Sequence, residues 1–106
     1  MDIETLIKKQ IADNSVILYM KGTPQFPQCG FSARTVEALT QVGEPFAYVN
    51  ILENPEIRST LPRIANWPTF PQLWVKGELI GGCDIVMDMV QKGELAQLIK
   101  EAVVKA

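Results

Sequence analysis

Between residues 16 and 42 three patterns follow one another, and a single cysteine stands at a junction between them. Val16-Ile17-Leu18-Tyr19-Met20 is apolar at every position, which predicts a strand covered on both faces. The stretch Lys21 to Gln28 is interrupted by Pro24 and Pro27 and reads as a loop. From Phe31 to Val42 a helical pattern takes over, with Val36 and Leu39 toward the core and Gly43 as the C-cap. Cys29 therefore sits on a proline-rich loop at the start of a helix. Unpaired amides and the positive end of the helix dipole point at its sulfur there, and Lys21 comes round from the end of the strand. Such surroundings turn a thiol of reference pKa ~8.5 into a reactive thiolate near neutral pH.

The remaining elements are read around that junction. Asp2 is placed to cap a helix over residues 2–13, with Ile3, Leu6, Ile7 and Ile11 on one face and Asn14-Ser15 ending it. Pro45 forbids continuation of the second helix, and Phe46 to Ile51 predicts a second buried strand. A strand–helix–strand order at this spacing predicts a right-handed crossover and a parallel pair. Asn54-Pro55 resembles an N-cap followed by proline in the first helical position, opening a helix to about Ala65 that buries Ile57, Leu61 and Ile64. Pro62 inside it predicts a shortened or kinked helix. Trp67 to Pro71 fits neither helix nor central sheet. Gln72 to Val75, the Lys76-Gly77 turn and Glu78 to Ile80 predict an antiparallel hairpin. Gly81-Gly82 breaks it. Cys83-Asp84 opens a helix, and Gly93 separates that helix from a last amphipathic one with Leu95, Leu98, Ile99 and Ala102. The order α-β-α-β-α-β-β-α-α predicts an α/β fold: a four-stranded mixed sheet flanked by about five helices, in one domain over residues 1–106.

Composition narrows the function. The formal net charge of −2 is too balanced for a nucleic-acid or membrane-surface binder. Histidine is absent, which excludes His-based triads and mixed Cys/His zinc sites. Two widely spaced cysteines do not make a disulfide scaffold, and free thiols suit a reducing compartment. The start, Met1-Asp2-Ile3-Glu4, lacks a basic region and a long apolar run, so no signal peptide is expected, and no apolar run is long enough to span a membrane.

Three blocks carry a resemblance: Lys21 to Ser32 with Cys29-Gly30-Phe31-Ser32, Trp67-Pro68-Thr69-Phe70-Pro71-Gln72, and Gly81-Gly82-Cys83-Asp84. In this order and at these spacings the chain resembles the monothiol glutaredoxins of the thioredoxin-like fold, and in form their short, single-domain bacterial members. The resemblance covers essentially the whole chain, which is expected to lack the N-terminal thioredoxin-like extension of the longer members. It implies that Pro71 is a cis-proline facing Cys29, and that the Thr69–Phe70–Pro71 backbone forms a pocket edge pairing with an extended peptide, glutathione. It places Lys21 and Arg58 on the glycine-end carboxylate, with Arg63 as a weaker candidate for electrostatic steering. The Cys83 backbone and Asp84 would hold the γ-glutamyl end, whose carboxylate suits a helix N-terminus.

A dithiol oxidoreductase resolves a mixed disulfide with the second thiol of a Cys-x-x-Cys pair. Here that position is Ser32, and a hydroxyl is not a usable nucleophile in disulfide exchange. Glutathione-dependent exchange and metal ligation by the thiolate remain. A [2Fe–2S] cluster typically takes four thiolates. The resemblance implies that two chains supply Cys29 twice and two glutathiones supply the rest, giving a homodimer that carries a labile cluster to iron–sulfur acceptor proteins in the bacterial cytoplasm. It also implies a BolA-type partner. The extra residues Thr23 to Pro27 go, in this family, with the cluster-binding class and weak reductase activity. The competing reading is an enzyme, a glutathione-dependent thiol–disulfide oxidoreductase with Cys29 as its nucleophile. Plainer roles stand beside these: Cys83 as a small buried residue or as a disulfide partner of Cys29, Asp84 as a helix N-cap, Lys21 and Arg58 as solvated charges, and Phe31, Trp67 and Trp74 as core or pocket wall.

Overall fold

The structure is a computed structural model that describes residues 2–104. Its first strand, β1 (Val16–Met20), is buried at all five positions, as a run apolar at every residue demands. It lies inside the sheet. β2 (Ala47–Asn50) pairs with it in parallel and β3 (Gln72–Val75) antiparallel. β4 (Glu78–Gly81) then pairs antiparallel with β3, so the order is β2-β1-β3-β4. The hairpin turn Lys76-Gly77 has positive φ at both residues, which matches the strand twist.

Alternation along β1 divides the core in two. Val16, Leu18 and Met20 pack with residues of α2 (Gly30–Val42), α4 (Cys83–Gln91) and α5 (Glu94–Val103), among them Leu39, Val86 and Ile99. Ile17 and Tyr19 face the other way, onto Ile7 of α1 (Ile3–Asp13) and Ile57 and Leu61 of α3 (Pro55–Ala65). The Tyr19 hydroxyl, pushed up in pKa by burial, donates to Gln10 Oε1 at 2.9 Å. Asp2 caps α1, accepting from the Thr5 amide at 2.8 Å, and Gly43 closes α2 in the left-handed conformation.

Four sequence expectations give way. The strand expected over Phe46 to Ile51 is shorter and sits at the sheet edge; with one flank open, Tyr48 is 43% exposed, so this is not a buried strand. Of the two effects expected of Pro62, shortening does not occur: α3 runs on to Ala65. The proline sits one turn from the end, so it removes one backbone bond, while its own carbonyl receives the Asn66 and Trp67 amides. Ile64 lies in that last turn, 37% exposed, where burial of the apolar stripe ends. Asn54 occupies the N-cap position of α3 without a side-chain cap; its amide donates instead to the Asn50 carbonyl at 2.8 Å. Pro55 has already removed one of the donors that a cap would serve.

Candidate functional site

Past Met20 the chain does not wander before reaching Cys29. The Gln28 amide donates to the Lys21 carbonyl at 2.9 Å, and Gly22 bridges Pro27. Inside that bridge Thr23 and Phe26 bond each other in both directions, at 3.3 and 3.1 Å, closing Pro24-Gln25 as a two-residue turn. Thr23 to Pro27 is therefore a small hairpin arm, with Phe26 75% exposed on it. Gly22 is required at its root: φ is +93°, and a Cβ there would stand 2.6 Å from the Phe26 carbonyl oxygen. Asn50 at the end of β2 tethers the arm, its Oδ1 accepting from the Gly22 and Leu52 amides at 2.9 and 3.0 Å.

Cys29 takes up extended backbone immediately before α2, as its N-cap residue, and is half-buried. The buried Ser32 hydroxyl accepts the Lys21 amide at 3.1 Å. The residue that replaces a second thiol thus braces the exit of β1 against the first turn of α2. Losing it in Ser32→Ala leaves the Lys21 amide without its hydroxyl acceptor, an expected cost of about 1–3 kcal/mol, read as a lower denaturation midpoint.

The Cys29 thiol titrates below its ordinary value. The largest cause is the Ser32 amide; slight burial opposes it, and the Phe31 amide, the Lys21 charge and the Ser32 hydroxyl reinforce it. No side-chain cap bond forms at Cys29, so the amides act through the field of the first turn more than through a closed hydrogen bond. Ionisation therefore favours the fold above the ordinary thiol pKa, and that contribution disappears as pH falls through the lowered one. The expected result is an alkylation rate at Cys29 whose pH midpoint lies below that of a free thiol. Lys21→Ala should move the midpoint up and Lys21→Arg should leave it; a midpoint indifferent to Lys21→Ala contradicts the electrostatic part of this account.

Cys29 opens onto a cleft of about 760 Å³, a size suited to a small ligand. Eight of the residues singled out in the sequence line it, Cys29 among them. Lys21 comes from the exit of β1, Arg58 from the first part of α3, Thr69, Phe70 and Pro71 from the loop before β3, and Cys83 and Asp84 from the start of α4. Trp67 and the exposed Phe31 are walls of the same cleft, whereas Trp74 packs in the core. Ion pairs among the described residues are Lys9–Asp13, Arg63–Glu4 and Lys92–Asp88. Lys21 and Arg58 thus face the cleft without a carboxylate partner. Arg63 does not line it and stands 3.7 Å from Glu4.

The Phe70–Pro71 bond is cis. Neither the amide nor the carbonyl of Phe70 takes part in a hydrogen bond among the described residues. Gly82, not Asp84, is the N-cap of α4, without a side-chain cap bond, and Asp84 sits exposed in the first turn. A Cβ at Gly82 would lie 3.2 Å from the Pro71 carbonyl oxygen and 3.6 Å from Trp67 Nε1, so the helix start presses closely on the loop. That indole N–H is buried and unpaired. Pro68 and Gly82 lie on the cleft with the blocks that carry the resemblance, whereas sequence reasoning did not place Pro62 or Ile85 there.

Chemically, the cleft offers a thiol of lowered pKa, two cations that form no ion pair among the described residues, an unpaired peptide edge, and a helix N-terminus beside a carboxylate. That set matches an extended peptide carrying two carboxylates and an amine. No group of three or more Cys, Asp or Glu able to hold a metal ion occurs among the described residues; Cys29 and Cys83 are both free.

Comparison with known proteins follows the same lines. The Glutaredoxin family model matches residues 16–80, from β1 into β4. Glutaredoxin 4 of Haemophilus ducreyi is 67% identical over 99 residues, covering 93% of this chain and 92% of that one. Glutaredoxin 4 of Buchnera aphidicola from Schizaphis graminum is 59% identical over 106 residues, covering 100% and 99%. Among solved structures, reduced apo GrxS14 of poplar superposes with a TM-score of 0.80 at 45% identity, over 94% of this chain and 92% of that chain. With Cys29-Gly30-Phe31-Ser32 at the mouth of α2, in a thioredoxin-like sheet of this order, the chain belongs to the glutaredoxin family, among its monothiol members.

Proposed function

We propose that the 106 residues act as one glutaredoxin domain that binds glutathione in the cleft and carries a labile [2Fe–2S] cluster, as cargo, in a glutathione-bridged homodimer. The observation that carries this reading is the lone Cys29 at the cleft, with a buried, hydrogen-bonded Ser32 where a resolving thiol would stand. One chain has too few ligands near the loop for a cluster, and two chains with two glutathiones have enough. Lys21 and Arg58 take the glycine-end carboxylate, the Phe70 amide and carbonyl pair with the peptide, and the open amides at the start of α4 with Asp84 take the γ-glutamyl end. Together they bring the glutathione thiol beside Cys29. Iron–sulfur acceptor proteins and a BolA-type protein are the partners proposed, and the cytoplasm the location. No helix among the described residues is long and apolar enough to cross a membrane.

The lowered Cys29 pKa also supports a second reading, reduction of glutathione mixed disulfides. The Cys29 thiolate attacks the glutathione sulfur of R–S–S–G and releases R–S⁻. A second glutathione thiolate then attacks the Cys29–glutathione disulfide, restoring the thiolate and releasing oxidised glutathione. Both readings use one pocket, so two assays run side by side separate them: cluster transfer from the loaded protein to an apo-ferredoxin, and reduction of a glutathionylated peptide. Transfer with slow reduction is expected; fast reduction without transfer moves the assignment to the enzyme.

Either reading needs Arg58. Arg58→Ala should weaken glutathione binding by about 1.5–3 kcal/mol, toward the lower end because the guanidinium is exposed. Calorimetry with reduced glutathione checks this, and an unchanged affinity removes Arg58 from the site.

A further inference from the structure

The pocket edge at Thr69 and Phe70 belongs to a loop without helix or strand of its own, yet it has to hold one shape to pair with a peptide. What holds it is a side chain that the mechanism above does not use. Gln72, the first residue of β3, is fully buried. Its Nε2 donates to the Trp67 carbonyl at 3.0 Å and to the Thr69 carbonyl at 3.3 Å. Its Oε1 accepts from the Trp74 indole N–H at 3.2 Å. The amide orientation is forced by chemistry: two carbonyls can only accept and an indole N–H can only donate. The group is thus saturated in the direction that matters, with both N–H donors committed to the loop. A lone amide buried in a strand that is otherwise Leu73-Trp74-Val75 is costly unless so paired, which is a reason to look for its task.

Binding Thr69 from inside fixes the carbonyl that precedes Phe70 and turns the neighbouring Phe70 amide and carbonyl out of the internal network. We propose that Gln72 is a positioning residue for peptide binding: an internal clamp, held in one orientation by Trp74, that sets the Thr69–Phe70 edge against which glutathione pairs. The proposal rests on the glutathione reading above.

Gln72→Met keeps the length of the side chain and removes both donors; Trp74→Phe keeps the ring and removes the donor that orients the amide. Binding of reduced glutathione to the otherwise intact protein is followed by amide chemical shifts under anaerobic conditions. Val75→Ala, a core truncation on the other face of the same strand, controls for lost stability. The expected result is about a tenfold weaker affinity for Gln72→Met and a smaller loss for Trp74→Phe. The Phe70 and Thr69 shifts should be displaced in the free variants, the alkylation midpoint of Cys29 unchanged, and Val75→Ala should bind as wild type does. Wild-type affinity in Gln72→Met overturns the clamp, as does an equal loss in Val75→Ala. Failure of the wild-type protein to bind glutathione at all overturns the underlying reading instead, so the two failures are told apart.

Discussion

Cys29→Ser is expected to abolish cluster loading, whereas Cys83→Ser keeps most of it. The two thiols share a cleft and differ in what the fold asks of them. Cys29 is half-buried at the mouth of α2, in a field that lowers its pKa, and the thiolate is the form in which a cysteine ligates a metal. A serine hydroxyl in the same place stays protonated at neutral pH, and among the described residues no group of three or more Cys, Asp or Glu stands ready to hold iron in its stead; the other thiol of the cleft, Cys83, is buried. Cys83 is 6% exposed, packed in the first turn of α4, and behaves as a small apolar residue. Iron and acid-labile sulfide per chain after anaerobic reconstitution measure the difference. Equal loading of wild type and Cys29→Ser would falsify the ligand assignment, and loss of loading in Cys83→Ser would make the second thiol a ligand.

The largest expected effect on stability comes from the strand that aims the thiol. Leu18 is fully buried at the middle of β1, with β2 on one flank and β3 on the other. Leu18→Ala removes apolar surface and leaves a cavity that packed neighbours fill only in part, at a cost of about 2–5 kcal/mol. Against a total stability on the order of 5–15 kcal/mol, that lowers the melting temperature by roughly 10 °C or more. Leu52→Ala, at a residue 43% exposed, is the contrast and should lower it far less. Both are read by thermal unfolding in dilute buffer. Near-equal melting temperatures for the two variants contradict the placement of the core.

These two experiments touch the parts most legible in the sequence. β1 announced itself through five apolar residues in a row, and α2 through its apolar spacing and Gly43; their junction followed with no further information. Asp2 capped α1 as its position suggested, because the partner amide lies three residues on and needs no tertiary context. What the sequence concealed depends on distant neighbours. Tyr48 is apolar in pattern but exposed, since strand order decides which strand is an edge. Thr23 to Pro27 read as an irregular loop, yet Asn50 and two mutual backbone bonds shape it into a hairpin. Asn54 was well placed to cap and turned back to Asn50 instead.

The site divides in the same way. Its thiol was readable because residue type and position at a loop–helix junction carry it, whereas Lys21 and Arg58 came only with the resemblance that the three blocks carry. The hydroxyl of Ser32 and the amide of Gln72 were not readable, because a polar side chain in a buried strand or turn shows its role only when its acceptors and donors are in view. Both turn out to hold backbone on which the cleft is built, at Lys21 in one case and at Trp67 and Thr69 in the other.

The central claim is that the cargo is shared between two chains and two glutathiones. It is tested most directly by reconstituting the protein anaerobically with iron, sulfide and glutathione and recording absorbance and size on one column. A coloured dimer is predicted, bleaching to a colourless monomer when glutathione is removed. A colourless monomer that still reduces glutathione mixed disulfides would contradict the claim and leave Cys29 as the nucleophile of an oxidoreductase.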